Sequence, residues 1–149
     1  MKPALPHNET ERLQALHKLQ ILDTKTDPDF DALTKLAALI CQTQISVISL
    51  IDQNRQWFKA RLGFDHQQSH RDISFCAHSI LTSDQLTYVP DTSQDPRFAD
   101  NPDVTKAQGI RFYAGAPLTL SNGAVLGTLC VADSKVRALT AEQQHSLTL

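Results

Sequence analysis

The residue types that could bind a metal or attack a substrate lie near the middle of the chain: His66, His70, Cys76 and His78. Imidazoles and thiolates are common zinc ligands, and a thiol beside an imidazole can act as a nucleophile. The spacing fits neither role. His66 and His70 fall in a predicted loop, and residues two apart on a helix, such as Cys76 and His78, diverge by about 200°. We therefore predict no metal site and no catalytic residue, and expect surface histidines and buried thiols.

A second group combines aromatic side chains with an arginine. Trp57 and Phe58 are adjacent in one predicted strand, and Arg111, Phe112 and Tyr113 are adjacent in another. Aromatic walls beside a guanidinium suit a planar or anionic small molecule. Core packing beside an arginine–carboxylate pair is the more common role of such residues, so the residues themselves leave both interpretations open.

Two helices are predicted before the first strand. The first begins after Asn8 and places Arg12 on the surface, and the second begins after Asp27, with Pro28 at the position that best tolerates proline. The apolar face predicted for the second helix consists of Phe30, Leu33, Leu36, Ala37, Ile40 and Cys41. This periodicity indicates a helix that buries one side against a sheet.

Strand periodicity begins at residue 45. Residues 45–51 and 56–62 form one predicted hairpin, and residues 110–120 and 124–132 form a second around Ser121-Asn122-Gly123. The other predicted elements are a loop at 64–72, a short helix at 74–81, a short strand at 86–89, a turn-rich segment at 91–109 with a short helix after Pro102, and a final helix opened by the capping box Thr140-Ala141-Glu142-Gln143. Consecutive hairpins with separate helices indicate an α+β fold built on one antiparallel sheet.

Composition limits the classes of protein that fit. The 149 residues carry 14 Lys+Arg against 16 Asp+Glu, a net charge of -2 that disfavours a nucleic-acid partner. No apolar run approaches the roughly 18–20 residues of a membrane span, and the N-terminus lacks a signal peptide. Three widely spaced cysteines indicate reduced thiols, so we expect a cytoplasmic domain.

Several motifs cover nearly the whole chain in a fixed order: Arg12-Leu13, Ile21-Leu22-Asp23-Thr24, Phe30-Asp31, Leu33-Thr34, Ile48-Ser49-Leu50-Ile51-Asp52, Arg55-Gln56-Trp57-Phe58-Lys59-Ala60, Ser74-Phe75-Cys76-Ala77-His78, Asp95-Pro96-Arg97-Phe98, Asn101-Pro102, Arg111-Phe112-Tyr113-Ala114-Gly115-Ala116-Pro117-Leu118 and Leu126-Gly127-Thr128-Leu129-Cys130-Val131-Ala132-Asp133. Together they resemble the GAF domain family, in the subgroup found at the N-terminus of bacterial sensor histidine kinases and diguanylate cyclases.

The resemblance implies a PAS-like architecture. It implies a central antiparallel sheet of five or six strands, terminal helices on one face, and short helices and loops over a pocket on the other. Residues 1–22 would form an N-terminal helix for dimer contact and signalling. Residues 23–149 would form the GAF domain, with a last helix that continues beyond 149.

The resemblance also indicates which cofactors to expect. Members that attach a bilin have a cysteine followed directly by histidine, whereas Ala77 follows Cys76 here. The cysteine pattern of the free methionine-sulfoxide reductases and the Asn-Lys-Phe-Asp-Glu signature of cyclic-nucleotide-binding members are also absent from the sequence. We therefore predict no cofactor.

The resulting functional prediction is a sensory domain that is not an enzyme. It would bind an unknown small molecule or a partner domain and modulate a histidine kinase or diguanylate cyclase, in two-component or cyclic di-GMP signalling, as a homodimer through its terminal helices. The predicted pocket residues are Trp57, Phe58, Phe75, His78, Arg97, Phe98, Arg111 and Tyr113. The alternatives are a thiol-dependent reductase that uses Cys76 or Cys130, and a ligand-free dimerisation module.

Overall fold

A computed structural model describes residues 1–82 and 84–148 of the chain. The strands are β1 (Ile45–Ile51), β2 (Arg55–Leu62), β3 (Gln68–His70), β4 (Thr87–Val89), β5 (Phe112–Thr119) and β6 (Val125–Asp133). The helices are α1 (Glu9–Lys18), α2 (Pro28–Cys41), α3 (Phe75–Ser79), α4 (Pro102–Thr105) and α5 (Ala141–Thr148). The six strands form one antiparallel sheet in the order β3-β2-β1-β6-β5-β4, which confirms the predicted α+β class.

The helices divide between the two faces of the sheet. Helices α1, α2 and α5 cover one face, which we call the helix face, and the shorter α3 and α4 cover the other, which we call the pocket face. On the helix face, α2 and α5 pack on Phe112, Ala114 and Val131, and Leu16 of α1 packs on Trp57. This is the layer arrangement that the resemblance implied.

The buried face of helix α2 includes Ala37 and Cys41, as predicted, but is rotated away from the predicted leucines. Its buried residues are Thr34, Ala37, Ala38 and Cys41, at the i, i+3, i+4, i+7 spacing of one helical face. The leucines that were predicted to be buried, Leu33 and Leu36, are 48% and 53% exposed. Small residues bring the helix axis close to the sheet, and this close approach excludes the bulkier leucine side chains.

Two local predictions also need correction. The predicted loop at 64–72 contains strand β3, which pairs with the first three residues of β2. At the second hairpin, a two-residue Asn-Gly turn would give both central residues a positive φ, but only Gly123 has one, with φ 89°. The Gly123 amide donates to Leu120 O at 2.9 Å, so the connection is a longer loop closed by a glycine in the left-handed region.

The glycines inside strands β5 and β6 make room for close neighbours, as expected. A Cβ on Gly127 would lie 1.8 Å from the backbone oxygen of Ser49 on β1, and one on Gly115 would lie 2.2 Å from the hydroxyl of Tyr113. Glycine at 127 thus lets two strands approach, and glycine at 115 lets the Tyr113 ring lie along its own strand.

A buried ion cluster attaches α1 to the rest of the domain. Contrary to the sequence prediction, Arg12 is fully buried, and its Nε donates to Glu9 Oε1 at 2.8 Å. Arg71, which precedes α3 and is 4% exposed, donates to the same carboxylate, with Nη2 3.2 Å from Oε1. Burial raises the pKa of Glu9, but the hydrogen bonds from Arg71 and Arg12 outweigh it and hold that pKa below its ordinary value.

Replacing this carboxylate should destabilise the fold. We expect Glu9→Gln to lower the free energy of unfolding by about 3 kcal/mol, because two buried guanidinium groups lose their counter-charge. The depressed pKa means that the contribution of Glu9 is complete above about pH 4.3 and is lost as the pH falls through its folded value. Urea unfolding between neutral and acidic pH measures both effects. Glu11→Gln, at an exposed position of the same helix, is the control; equal stability of the two variants would contradict this role.

Candidate functional site

A cavity of about 50 Å³ lies on the pocket face, between the sheet and the cover formed by α3 and α4. Its apolar walls come from both layers, including Val47 and Phe58 of the sheet and Phe75 of α3. Its polar lining includes Gln56 of β2 and Cys76 of α3. The cavity is therefore an apolar space with a small number of polar groups, as is usual in small-molecule sites.

The polar groups are organised around the sulfur of Cys76. Tyr113 Oη on β5 donates to Cys76 Sγ at 3.2 Å, and Thr128 Oγ1 on β6 donates to it at 2.9 Å. The Sγ atoms of Cys76 and Cys130 lie 3.9 Å apart. A further contact, of 2.9 Å, joins Tyr113 Oη and Ser79 Oγ. Helix α3 and strands β5 and β6 thus meet at one buried sulfur.

This arrangement changes the acidity of the groups. Burial raises the pKa of Cys76, but hydrogen bonds from Cys130, Thr128 and Tyr113 outweigh it and lower the pKa to about 7. Burial raises the pKa of Tyr113, and contact with Cys76 together with burial raises that of Cys130. Of the two neighbouring thiols, Cys76 is therefore the one that ionises first.

A cluster of rings lies behind the cavity, under the segment that leads to α4. The Phe98 ring is fully buried, 4.8 Å from the Phe75 centroid and 5.1 Å from the His78 centroid. His78 Nε2 donates to the carbonyl of Met1 at 3.0 Å, and burial lowers the pKa of this imidazole. The rings fill the space that a larger guest molecule would occupy.

The structure brings some of the predicted pocket residues together and separates others. Phe58, Phe75 and Tyr113 line the cavity. Phe98 and His78 support it from behind.

The remaining predicted residues do not line the cavity. Arg97 pairs with Asp95 and stacks over Phe98, 5.0 Å from its centroid. Arg111 donates to the carbonyl of Val104. Trp57 is buried on the helix face, because neighbouring side chains of β2 point to opposite faces.

Sequence reasoning missed three polar residues that the structure places at the site. Ser74 Oγ donates to Gln56 Oε1 at 2.8 Å on the pocket face, and Thr128 contacts Cys76. The period-two alternation of β6 places Thr128 on the same face as Cys130, so a signal existed for that residue. No signal in the sequence connects it to α3, which is 52 residues distant along the chain.

The residue types that could bind a metal do not converge. Within residues 1–82 and 84–148, no three His, Cys, Asp or Glu side chains are grouped closely enough to hold a metal ion. In the same part of the chain, no helix has the length and apolar character to cross a membrane.

Comparison with known proteins gives a family and a relative. The model of the GAF domain family matches residues 26–149. A cyclic di-GMP phosphodiesterase from Pseudomonas aeruginosa is 42% identical over 145 residues, which is 97% of this chain. The chain spans 24% of the length of that relative.

Solved structures show the same fold at low sequence identity. The GAF domain of an Acinetobacter phosphoenolpyruvate-protein phosphotransferase superposes with a TM-score of 0.63 at 14% identity, over 91% of this chain and 83% of that chain. A type II free methionine-R-sulfoxide reductase from Thermoplasma acidophilum gives a TM-score of 0.63 at 14% identity, over 80% of this chain and 82% of that chain.

One functional prediction is wrong. The sequence was interpreted as a sensory domain that is not an enzyme, yet the Pseudomonas relative that matches almost the entire chain is named as an enzyme, a phosphodiesterase. The GAF fold itself also occurs in an enzyme, the Thermoplasma reductase.

The thiols should be protected in the native protein. Cys41, Cys76 and Cys130 are all buried, so iodoacetamide at neutral pH should label them far more slowly in the native chain than in urea, despite the low pKa of Cys76. Mass spectrometry of timed samples measures the labelling of each residue. Rapid native labelling of Cys76 would show that the cover opens and that this thiol is available for chemistry.

Proposed function

This chain belongs to the GAF domain family, and we propose that it is the sensory domain of a cyclic di-GMP phosphodiesterase, which responds to a small molecule bound in the pocket-face cavity. The match of the family model to residues 26–149 and the phosphodiesterase relative support this proposal. The output activity proposed here replaces the histidine kinase or diguanylate cyclase that the sequence suggested.

The observation that carries the proposal is the cavity between the sheet and the cover formed by α3 and α4. Its apolar walls belong to the sheet and to α3, and its polar groups converge on Cys76. A ligand in such a position contacts both layers at once. It therefore binds one spacing of the two layers better than another, which is the requirement for a ligand to shift a conformational equilibrium.

The size of the cavity limits the ligand. A volume of about 50 Å³ has room for about four water molecules. The ligand is therefore a small polar molecule of a few non-hydrogen atoms. A larger ligand enters only if the Phe75 and Phe98 rings move with the cover.

A route by which the cover affects the rest of the protein is the Glu9 cluster. Arg71 lies in the turn that leads into α3, and its guanidinium binds Glu9 of α1 on the helix face. Arg12, the other partner of Glu9, donates to the carbonyl of Val125 at 3.4 Å. In this proposal a shift of α3 changes the position of α1, which carries the signal along the chain.

The binding step is tested by filling the cavity. Val47→Ile adds one methylene to the cavity lining, and Val136→Ile makes the same change at a site that is 58% exposed. Ligand-observed NMR with small polar fragments should find compounds that bind the wild type and the Val136 variant. Their affinity for the Val47 variant should be about tenfold lower. Equal binding of all fragments to both variants would exclude this cavity as their site.

The regulatory step is tested on the intact protein. The intact protein should hydrolyse cyclic di-GMP. A fragment that binds the cavity should change kcat and leave the KM for cyclic di-GMP constant, because the fragment does not contact the substrate. Val47→Ile should remove that response, whereas Val136→Ile should retain it. Absence of hydrolysis, or a response that persists in the Val47 variant, would refute the proposal.

Thiol-dependent reduction is a second candidate function, and one distance favours it. The 3.9 Å between the sulfurs of Cys76 and Cys130 would allow two thiols to reduce a substrate and become a disulfide. Their complete burial opposes it, since a substrate must reach the thiolate. The alkylation experiment separates the two functions, because a reductase requires rapid native labelling of Cys76.

Two features support the proposed location and oligomeric state of the protein. The three cysteines are free thiols, which fits a protein of the reducing cytoplasm. Leu33, Leu36 and Leu39 of α2 are exposed on the helix side of the domain, Leu39 by 75%. Such a row of exposed leucines fits a protein contact, and we propose that a homodimer through the helical layer includes it.

A further inference from the structure

A cleft of about 410 Å³ on the helix side of the sheet is lined by four cationic side chains and is separate from the pocket-face cavity. The cations are Lys25 of the segment between α1 and α2, Lys35 of α2, and Lys59 and Arg61 of β2. Asp31 is the carboxylate among the lining residues. The cleft therefore carries an excess of positive charge in a chain whose net charge is -2.

Lys59 is the most unusual member of the group, because it is 7% exposed. Its Nζ donates to Thr24 Oγ1 at 2.7 Å and to the carbonyl of Lys25 at 2.6 Å, and it lies 5.6 Å from the Phe30 ring centroid. All these partners are uncharged. These two neutral acceptors leave the third N–H of the ammonium without a hydrogen-bond partner and its positive charge without a counter-ion. Burial of an ion in this state costs free energy.

The other cations of the cleft also lack a counter-ion. Arg61 Nη1 donates to the neutral amide oxygen of Gln67 at 2.8 Å. In the part of the chain that the structure describes, Lys25, Lys35, Lys59 and Arg61 form no ion pair, whereas Arg12, Arg55, Arg71, Arg97 and Arg137 all do. Outside the cleft, Lys18, Arg111 and Lys135 also form no ion pair among the described residues; the cleft differs in that four unpaired cations line one concave surface.

Strand alternation directs Lys59 to the helix side, since Trp57 lies on the helix face and Phe58 on the pocket face. A β-bulge occurs at the same place: the register between β1 and β2 shifts between Ile48 and Ser49, so that Lys59 has no partner across the ladder while Phe58 and Ala60 do. Bulges are common beside functional sites.

We infer that this cleft binds the phosphate group of a small molecule. Its cations come from three separate segments around a concave space, which matches a compact oxyanion better than an extended acidic peptide. The hydroxyls of Thr24, Thr26 and Thr34 add hydrogen-bonding groups to the lining. The volume of about 410 Å³ exceeds that of one phosphate and falls in the range of small-molecule sites, so a phosphate ester fits the cleft.

The test compares ligands that share or lack the phosphate. Isothermal titration calorimetry of the chain at low ionic strength uses ribose 5-phosphate, GMP, inorganic phosphate and guanosine. The two esters should bind and guanosine should not, and affinity should fall as salt is added, because the attraction is electrostatic. Tighter binding of the two esters than of inorganic phosphate assigns the site to a phosphorylated metabolite. Equal binding of inorganic phosphate assigns it to the free anion.

Variants identify the cleft as the site. Lys35→Gln and Arg61→Gln change exposed residues, so both should fold like the wild type, and each should weaken binding about tenfold. Lys135→Gln removes one charge at an exposed position that does not line the cleft, and should bind like the wild type. The inference is overturned if the cleft variants bind normally, if guanosine binds as well as GMP, or if only an acidic peptide binds.

Discussion

The sulfur of Cys76 holds the two layers of the pocket face together. It accepts hydrogen bonds from Tyr113 on β5 and Thr128 on β6, and it belongs to a helix of only five residues. Such a short helix has little stability of its own, so its place depends on these contacts and on the packing of Phe75. The cavity exists because α3 is held at this distance from the sheet.

The same contacts make the position of α3 dependent on each of its polar partners. A fully buried polar cluster is stable only while its partners remain in place, and the loss of one partner carries a large penalty. The cover is also connected to α1 through Arg71 and Glu9. The segment that contains Arg71 and α3 is therefore held by hydrogen bonds to both the sheet and α1.

The two sides of the sheet differ in chemistry. The pocket face encloses aromatic rings, thiols and hydroxyls, with no charged group in contact with the Cys76 sulfur among the residues described. The helix face carries an uncompensated cationic cleft at the edge of β2, beside the exposed leucines of α2. The small cavity and the larger cleft thus differ in size and charge, and Phe58 of β2 lines both of them.

Local signals in the sequence determined most of the elements. Asp27 caps α2 as expected, its carboxylate accepting from Asp29 N, and Thr140 and Gln143 form the predicted reciprocal capping box. The period of two located the two long hairpins, and the ordered motifs indicated the GAF family. These features depend on neighbours a few residues apart, and the sequence contains that information directly.

Tertiary structure alone decided which side chains meet. Arg12 was expected on the surface and is buried, with Glu9 as its counter-ion and the carbonyl of Val125, 113 residues further along the chain, as a second acceptor. Trp57 and Phe58 were expected in one pocket and lie on opposite faces. Nothing in the sequence predicts that the sulfurs of Cys76 and Cys130 are neighbours. The sequence pattern also does not predict the bulge at Lys59. Such contacts depend on strand register and helix rotation, which are fixed only when the whole core packs.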